Sequence, residues 1–255
     1  MSSKLFASAC VLLAVVTLAP AAPAQEDSTE TRIVVRALSR DAKLIGDKVG
    51  GARVTIVDVA TGDTLDSGIT TGETGDTGKI MIEPRERGAS VFDTPGAAGY
   101  TATFAVDGPT EVEIHAEGPL DYPQARASAS KRMWLTTGQD LTGEGLVLEL
   151  HGFIVEILEP GRVADPGEIF VRARVRMLCS CPTEPGGLWS VERVDVRLLR
   201  DGEIVTEAPL RFSGETSVYG GAIEIAEPGE YDLVVLAEDP VSRNYGRASA
   251  DLVVE

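Results

Sequence analysis

Three sulfur-bearing residues stand two apart in Met177-Leu178-Cys179-Ser180-Cys181-Pro182. Side chains alternate across a strand, so a strand that persists through this segment lines all three sulfurs along one face. Soft thiolate and thioether ligands favour Cu(I) over hard cations. The same pair fits a disulfide, because paired cysteines of exported proteins meet oxidising conditions. In extended chain, residues two apart are separated by roughly 6.5–7 Å, at or beyond the usual Cα range for a disulfide, so a bond needs a local kink. Pro182 could help supply that kink, and Trp189 could cover the site from the loop beyond it. Three uses stand open: a mainly structural disulfide, a copper site of Met177, Cys179 and Cys181, and an intermolecular or redox role.

Other reactive side chains are few. The chain has only two histidines, so chemistry built on imidazole has little to work with. His151 either packs at a junction between two halves or reaches the sulfurs as a further copper ligand. His115 shares its phase with Glu111 and Glu113 and reads as part of a solvated strand face. Arg172, Arg174 and Arg176 form a basic row in an acidic chain. They pair across strands with acids such as Asp195, or they form a partner-binding stripe. Asp58, Asp63, Asp66, Glu73 and Asp76 lie among turns, but their spacing is not that of a calcium-binding EF-hand loop. Trp134 reads as an aromatic packed between the halves. No Gly-x-Ser-x-Gly elbow, phosphate-cradling glycine loop or His-Glu-x-x-His appears. With 40 acidic residues no carboxylate pair stands out for acid–base work. The expected class is non-enzymatic, with no resident cofactor unless the sulfurs hold copper.

The elements that must position these residues are strands. Residues 1–24 read as a secretory signal: Lys4 starts it, Leu5–Leu18 is apolar, and Ala22-Pro23-Ala24 offers a cleavage site. Its apolar run is short of the ~20 residues of a membrane helix, and no later segment is apolar enough to span. Cys10 follows Ala7-Ser8-Ala9 as in a lipoprotein signal, but after too few apolar residues. Loss of the leader removes Lys4 alone and leaves 22 basic against 40 acidic residues, a net of −18. That excess disfavours nucleic acid as a partner. The 18 arginines against five lysines, with abundant Ala and Gly, fit a GC-rich bacterial source.

Beyond the leader, alternation dominates. Ile169–Leu178 puts Ile169, Val171, Ala173, Val175 and Met177 on one face, with Phe170, the three arginines and Leu178 on the other. Val191–Leu199 alternates and then turns at Asp201-Gly202, a hairpin signal. Thr70–Ala98 is turn-rich and reads as a long surface excursion around one short strand at Ile80–Ile82. Short strands separated by turns, without helices between, predict antiparallel sandwiches. Residues 25–151 form the first predicted domain, with the irregular insertion near 70–98, and residues 152–255 the second. The stretch Leu146–Leu158 has almost no linker character, which predicts a stiff junction.

Pro228-Gly229-Glu230-Tyr231, the strand that follows, and Asp239, Asn244 and Gly246 before a final strand resemble the last hairpin of bacterial immunoglobulin-like domains. The likeness covers roughly Gly152–Glu255 and places Tyr231 where such domains keep a tyrosine at a sheet corner. Gly51-Ala52-Arg53-Val54-Thr55-Ile56, followed by Thr61-Gly62, is similar to the opening of carboxypeptidase regulatory-like, transthyretin-like sandwiches. Both resemblances imply fold, and neither brings catalytic residues. The sequence thus predicts an all-β chain of two antiparallel, immunoglobulin-like sandwiches in tandem after a signal peptide. The expected role is an accessory or binding protein of the bacterial envelope, periplasmic or extracellular, with an envelope protein as partner. A periplasmic copper-binding protein is the alternative.

Overall fold

A computed structural model describes residues 30–158, 162–163 and 165–255. The predicted leader lies outside the described residues, as does Glu159-Pro160-Gly161, whose Pro-Gly pair predicts a turn after the strand ending near Leu158. Seven strands come first: β1 (Glu30–Ser39), β2 (Arg53–Asp58), β3 (Thr64–Ile69), β4 (Tyr100–Ala105), β5 (Thr110–Gly118), β6 (Ala127–Leu135) and β7 (Asp140–Leu150). They make a three-stranded sheet, β4-β1-β7, and a four-stranded sheet, β3-β2-β5-β6. Apolar residues on alternate positions of both sheets, among them Ile33, Val35, Val54, Ile56, Ile114 and Leu148, share one buried cluster. This is sandwich packing, with two inner faces interdigitated.

Nine strands follow: β8 (Phe153–Ile157), β9 (Arg162–Val163), β10 (Gly167–Met177), β11 (Arg193–Arg200), β12 (Glu203–Pro209), β13 (Arg211–Phe212), β14 (Val218–Ile225), β15 (Gly229–Asp239) and β16 (Asn244–Val254). Their sheets run β13-β14-β10-β8 and β12-β11-β15-β16-β9. A second cluster, with Val171, Val175, Val196, Leu198, Leu233 and Val235, lies between them. The hairpin at Asp201-Gly202 forms with both residues at positive φ, 53° and 81°, as a primed two-residue turn requires. Tyr231 is a sheet-corner tyrosine: its hydroxyl donates to the Glu227 carbonyl at 2.8 Å and accepts from Arg200 at 2.7 Å.

Two expectations change. The sandwiches are not purely antiparallel, since β1 pairs β7 in parallel and β9 pairs β16 in parallel. Alternation reports which face is buried and carries no information on strand direction. Ile80–Ile82 is also not a strand: Gly78–Ile82 is a single turn of π-helix. The excursion builds a core of its own, where Ile80, Val91, Phe92 and Ala98 pack on Leu38 and Leu44.

Two charged side chains bind that excursion to the sheet. Arg36 on β1 is 5% exposed. Its guanidinium donates to the carbonyls of Ala97, Ala98 and Gly143 at 3.1, 2.8 and 2.9 Å. Glu144 on β7 accepts the Ser90 hydroxyl at 2.8 Å and the N–H groups of Val91, Phe92 and Asp93 at 3.0, 2.9 and 3.1 Å. Burial alone would raise this carboxyl; the four hydrogen bonds outweigh it and hold the pKa below its ordinary value. A group depressed in the folded state stabilises above its unfolded pKa, and the gain is lost as pH falls through the folded one. Glu144→Ala is therefore expected to cost about 1–3 kcal/mol at neutral pH, because it strands buried donors. In urea titrations the gap to the parent protein should narrow below about pH 4; a gap of constant size across that range would contradict the assignment.

Candidate functional site

The Met177–Cys181 segment sits where the two halves meet. Here β10 stops at Met177, and the chain reverses through Leu178 and Cys179. Ser180 adopts a left-handed conformation, φ 66°. The Ser180 N–H donates to the Met177 carbonyl at 2.8 Å, and the Met177 N–H donates to the Cys181 carbonyl at 3.0 Å. Thr183 then fixes the returning chain through its hydroxyl to the Val175 carbonyl at 2.6 Å. The three sulfurs do not line a continuous strand as expected, because Ser180 breaks the alternation. The kink also brings the Cα atoms of Cys179 and Cys181 to 5.4 Å, and their sulfurs lie within bonding distance. Met177, Cys179 and Cys181 are all buried in the core of the second sandwich, and Trp189 packs partly buried against the same cluster.

Leu178 departs from its neighbours. It is fully buried, and the cluster that holds it is that of β1–β7. Ile154 on β8 does the same, whereas Phe153 and Val155, on the other face of β8, enter the second core. Ala42, from the turn after β1, joins that second core in return. The link between β7 and β8 is His151-Gly152 alone.

Polar groups complete the junction. Asn244 is fully buried; its side chain donates to the Arg40 carbonyl at 3.0 Å and accepts the Gly152 N–H at 2.9 Å. Gln124 donates to the Val155 carbonyl at 3.3 Å. Arg176 donates to Glu156 and to the Ser180 hydroxyl, both at 2.6 Å, and to the Tyr122 hydroxyl at 3.0 Å, with its guanidinium 5.3 Å from the Tyr122 ring centre. Burial opposes this charge, and the bonds to Tyr122 and Glu156 more than restore it, so its pKa is raised. Gly246 lets β16 lie against β8, since a Cβ there would come within 2.7 Å of Val155. A groove of about 390 Å³ opens beside the link, lined by Gln124, Arg126, His151, Phe153, Tyr245 and Arg247.

The remaining candidates fall elsewhere. The His151 side chain is 43% exposed on the rim of that groove, 3.6 Å from Glu149 and 3.4 Å from the Arg243 carbonyl. Among the described residues no group of three or more His, Cys, Asp or Glu side chains could hold a metal ion. The arginine row does not pair with Asp195, which lies on β11 in the other sheet and holds Arg193 at 2.8 Å. Arg172 pairs instead with Glu215 at 2.7 Å. Asp66 and Asp76 serve turns and strands: Asp66 accepts the Tyr100 hydroxyl at 2.7 Å, and Asp76 accepts the Lys79 N–H at 2.9 Å. Desolvation and this carboxylate push Tyr100 up to about 12. Trp134 is 63% exposed on β6 and does not pack between the halves. Sequence reasoning missed Leu178, Ile154, Asn244 and Tyr122. Leu178 carried a readable signal, an apolar residue in phase with three arginines.

No family model matches the chain, and no curated protein matches it. Among solved structures, an engineered protein is 18% identical, with a TM-score of 0.31 over 48% of this chain; the matched part is 24% of that protein's length. Fibronectin(III)-like modules of Clostridium thermocellum CbhA are 14% identical, with a TM-score of 0.29 over 88% of this chain and 94% of theirs. Domains 4 and 5 of the S-layer protein SbsC are 8% identical, with a TM-score of 0.26 over 88% of this chain and 96% of theirs. At these scores the fold rests on the strand pairing itself.

A thiol count tests the sulfur geometry. Protein lacking residues 1–24 and purified without reductant should show no free thiol even when unfolded, and after reduction it should retain no Cu(I) through desalting. Free thiols in the purified protein would contradict the paired arrangement, and copper retained after reduction would favour the copper site instead. The paired sheets and the apolar cores between them make this an all-β chain of packed β-sandwiches, with a tyrosine corner in the second half.

Proposed function

We propose that the chain is an exported, non-enzymatic accessory or binding protein of the bacterial envelope. The observation that carries this reading is the junction. Leu178 enters one core from a turn of the other half and Ile154 from its strand β8, and Asn244 ties the link at Gly152 to the Arg40 carbonyl. Linked modules move relative to one another unless their interface is well packed and apolar. A packed junction suits a protein that holds surfaces in fixed relation.

The outer face of β10 supports the choice of surface. Phe170 is 61% exposed, and its ring lies against Gly220. Arg172, paired with Glu215 at 2.7 Å, and Arg174 follow it on the same face. Arg176, the third of the row, is engaged at the junction. In a chain of net charge −17, a local basic stripe beside an exposed aromatic favours an acidic partner surface. The leader read from residues 1–24 supports an address in the periplasm or outside the cell, and among the described residues no helix is long and apolar enough to cross a membrane.

Export and docking are tested together in bacterial cells that express the whole chain with a photo-reactive amino acid in place of Phe170. The envelope or external fraction should contain a protein whose mass begins at Gln25. Illumination should join it to a discrete partner, and Arg172→Glu with Arg174→Glu should abolish that adduct. Retention of the unprocessed chain in the cytoplasm would overturn the export reading, and an adduct indifferent to the charge reversal would overturn the stripe.

A further inference from the structure

We propose that the Cys179–Cys181 bond is a redox-set lock on the junction between the two sandwiches. The bond spans a sequence separation of 2. A ring this small restricts the unfolded chain far less than a long-loop disulfide does, so its effect concentrates on the turn that it closes.

That turn faces both halves. Its cysteines are buried in the second core, and Leu178 is buried in the first. Ser180, inside the ring, is the partner of Arg176 at 2.6 Å, and Arg176 in turn reaches Tyr122 at 3.0 Å. Tyr122 packs on the first core. One turn therefore sets both an apolar plug and a charged contact across the junction. The left-handed conformation of Ser180 is unfavourable for a residue with a side chain. The closed ring holds it there, and free thiols would release it.

The chemical step is thiol–disulfide exchange with a dithiol reductant. The S–S bond breaks, each sulfur gains one electron and one proton, and the reductant leaves as its own disulfide. Both cysteines are at most 5% exposed, so exchange proceeds through an opened turn. The reduced turn no longer fixes Leu178 and Ser180, and the sandwiches gain freedom relative to one another. This inference rests on the paired sulfurs, which the thiol count tests on its own.

The test compares three forms of the chain: untreated, treated with dithiothreitol, and carrying Cys179→Ser with Cys181→Ser. Small-angle scattering reads the relation of the halves, amide exchange reads the Gly152 N–H held by Asn244, and near-ultraviolet circular dichroism checks each fold. The reduced and double-variant forms should keep folded sandwiches, broaden the distance distribution, and exchange Gly152 about tenfold faster. Leu178→Ala with the bond intact should reproduce the broadening. Unchanged scattering and exchange after reduction would overturn the proposal. So would outright unfolding of the second sandwich, which would make the bond a support of that fold alone. So would a Leu178→Ala protein indistinguishable from the parent.

Discussion

Two apolar side chains cross the midpoint of this chain, and the arrangement of everything around it follows from them. Ile154 and Leu178 belong to β8 and to the turn after β10, yet both are fully buried in the core of β1–β7. Complete burial of such side chains contributes about 1.5–3 kcal/mol each. The polar contact beside the link, His151 with Glu149, lies between side chains 43% and 36% exposed, and even a fully charged pair so exposed contributes about 0–1 kcal/mol. Apolar plugging therefore decides the geometry. Because Phe153 and Val155 face the opposite way, β8 belongs to both cores, and a slip of one residue would exchange the faces. The strand's register and the relation of the sandwiches are one constraint.

Polar contacts make that constraint specific. A buried amide left without partners is costly, so Asn244 fits only where the Arg40 carbonyl and the Gly152 N–H both meet it. Arg176 plays the same part on the other side with Tyr122, Glu156 and Ser180. This explains why the arginine row divides. Arg176 is spent on the junction, while Arg172, paired with Glu215, and Arg174 lie on the outer face with Phe170. The cysteine turn lies between these two uses.

The strands were legible wherever one face is buried and the other wet. Ile169–Met177 and Val194–Leu198 alternate without interruption, and Tyr231 marked the corner of its sheet correctly. Strands with weak contrast were not legible. β3 and β6 are half exposed along their length, so their residues do not announce an inner face. Strand direction was also invisible, which hid the parallel pairing of β1 with β7. Ile80–Ile82 misled because a short apolar run fits a strand or a helical turn equally well. At the site, spacing showed that the cysteines needed a kink, but Ser180 rather than Pro182 supplies it. Asn244 could not be read at all, since its partner Arg40 lies 204 positions away.

Residual dipolar couplings measure directly whether the two sandwiches move as one body. Amide couplings collected from β1–β7 and from β8–β16 in one weakly aligned sample should fit a single alignment tensor, with the same magnitude and axes for both halves. Two tensors of different magnitude would show independent motion and contradict the locked junction.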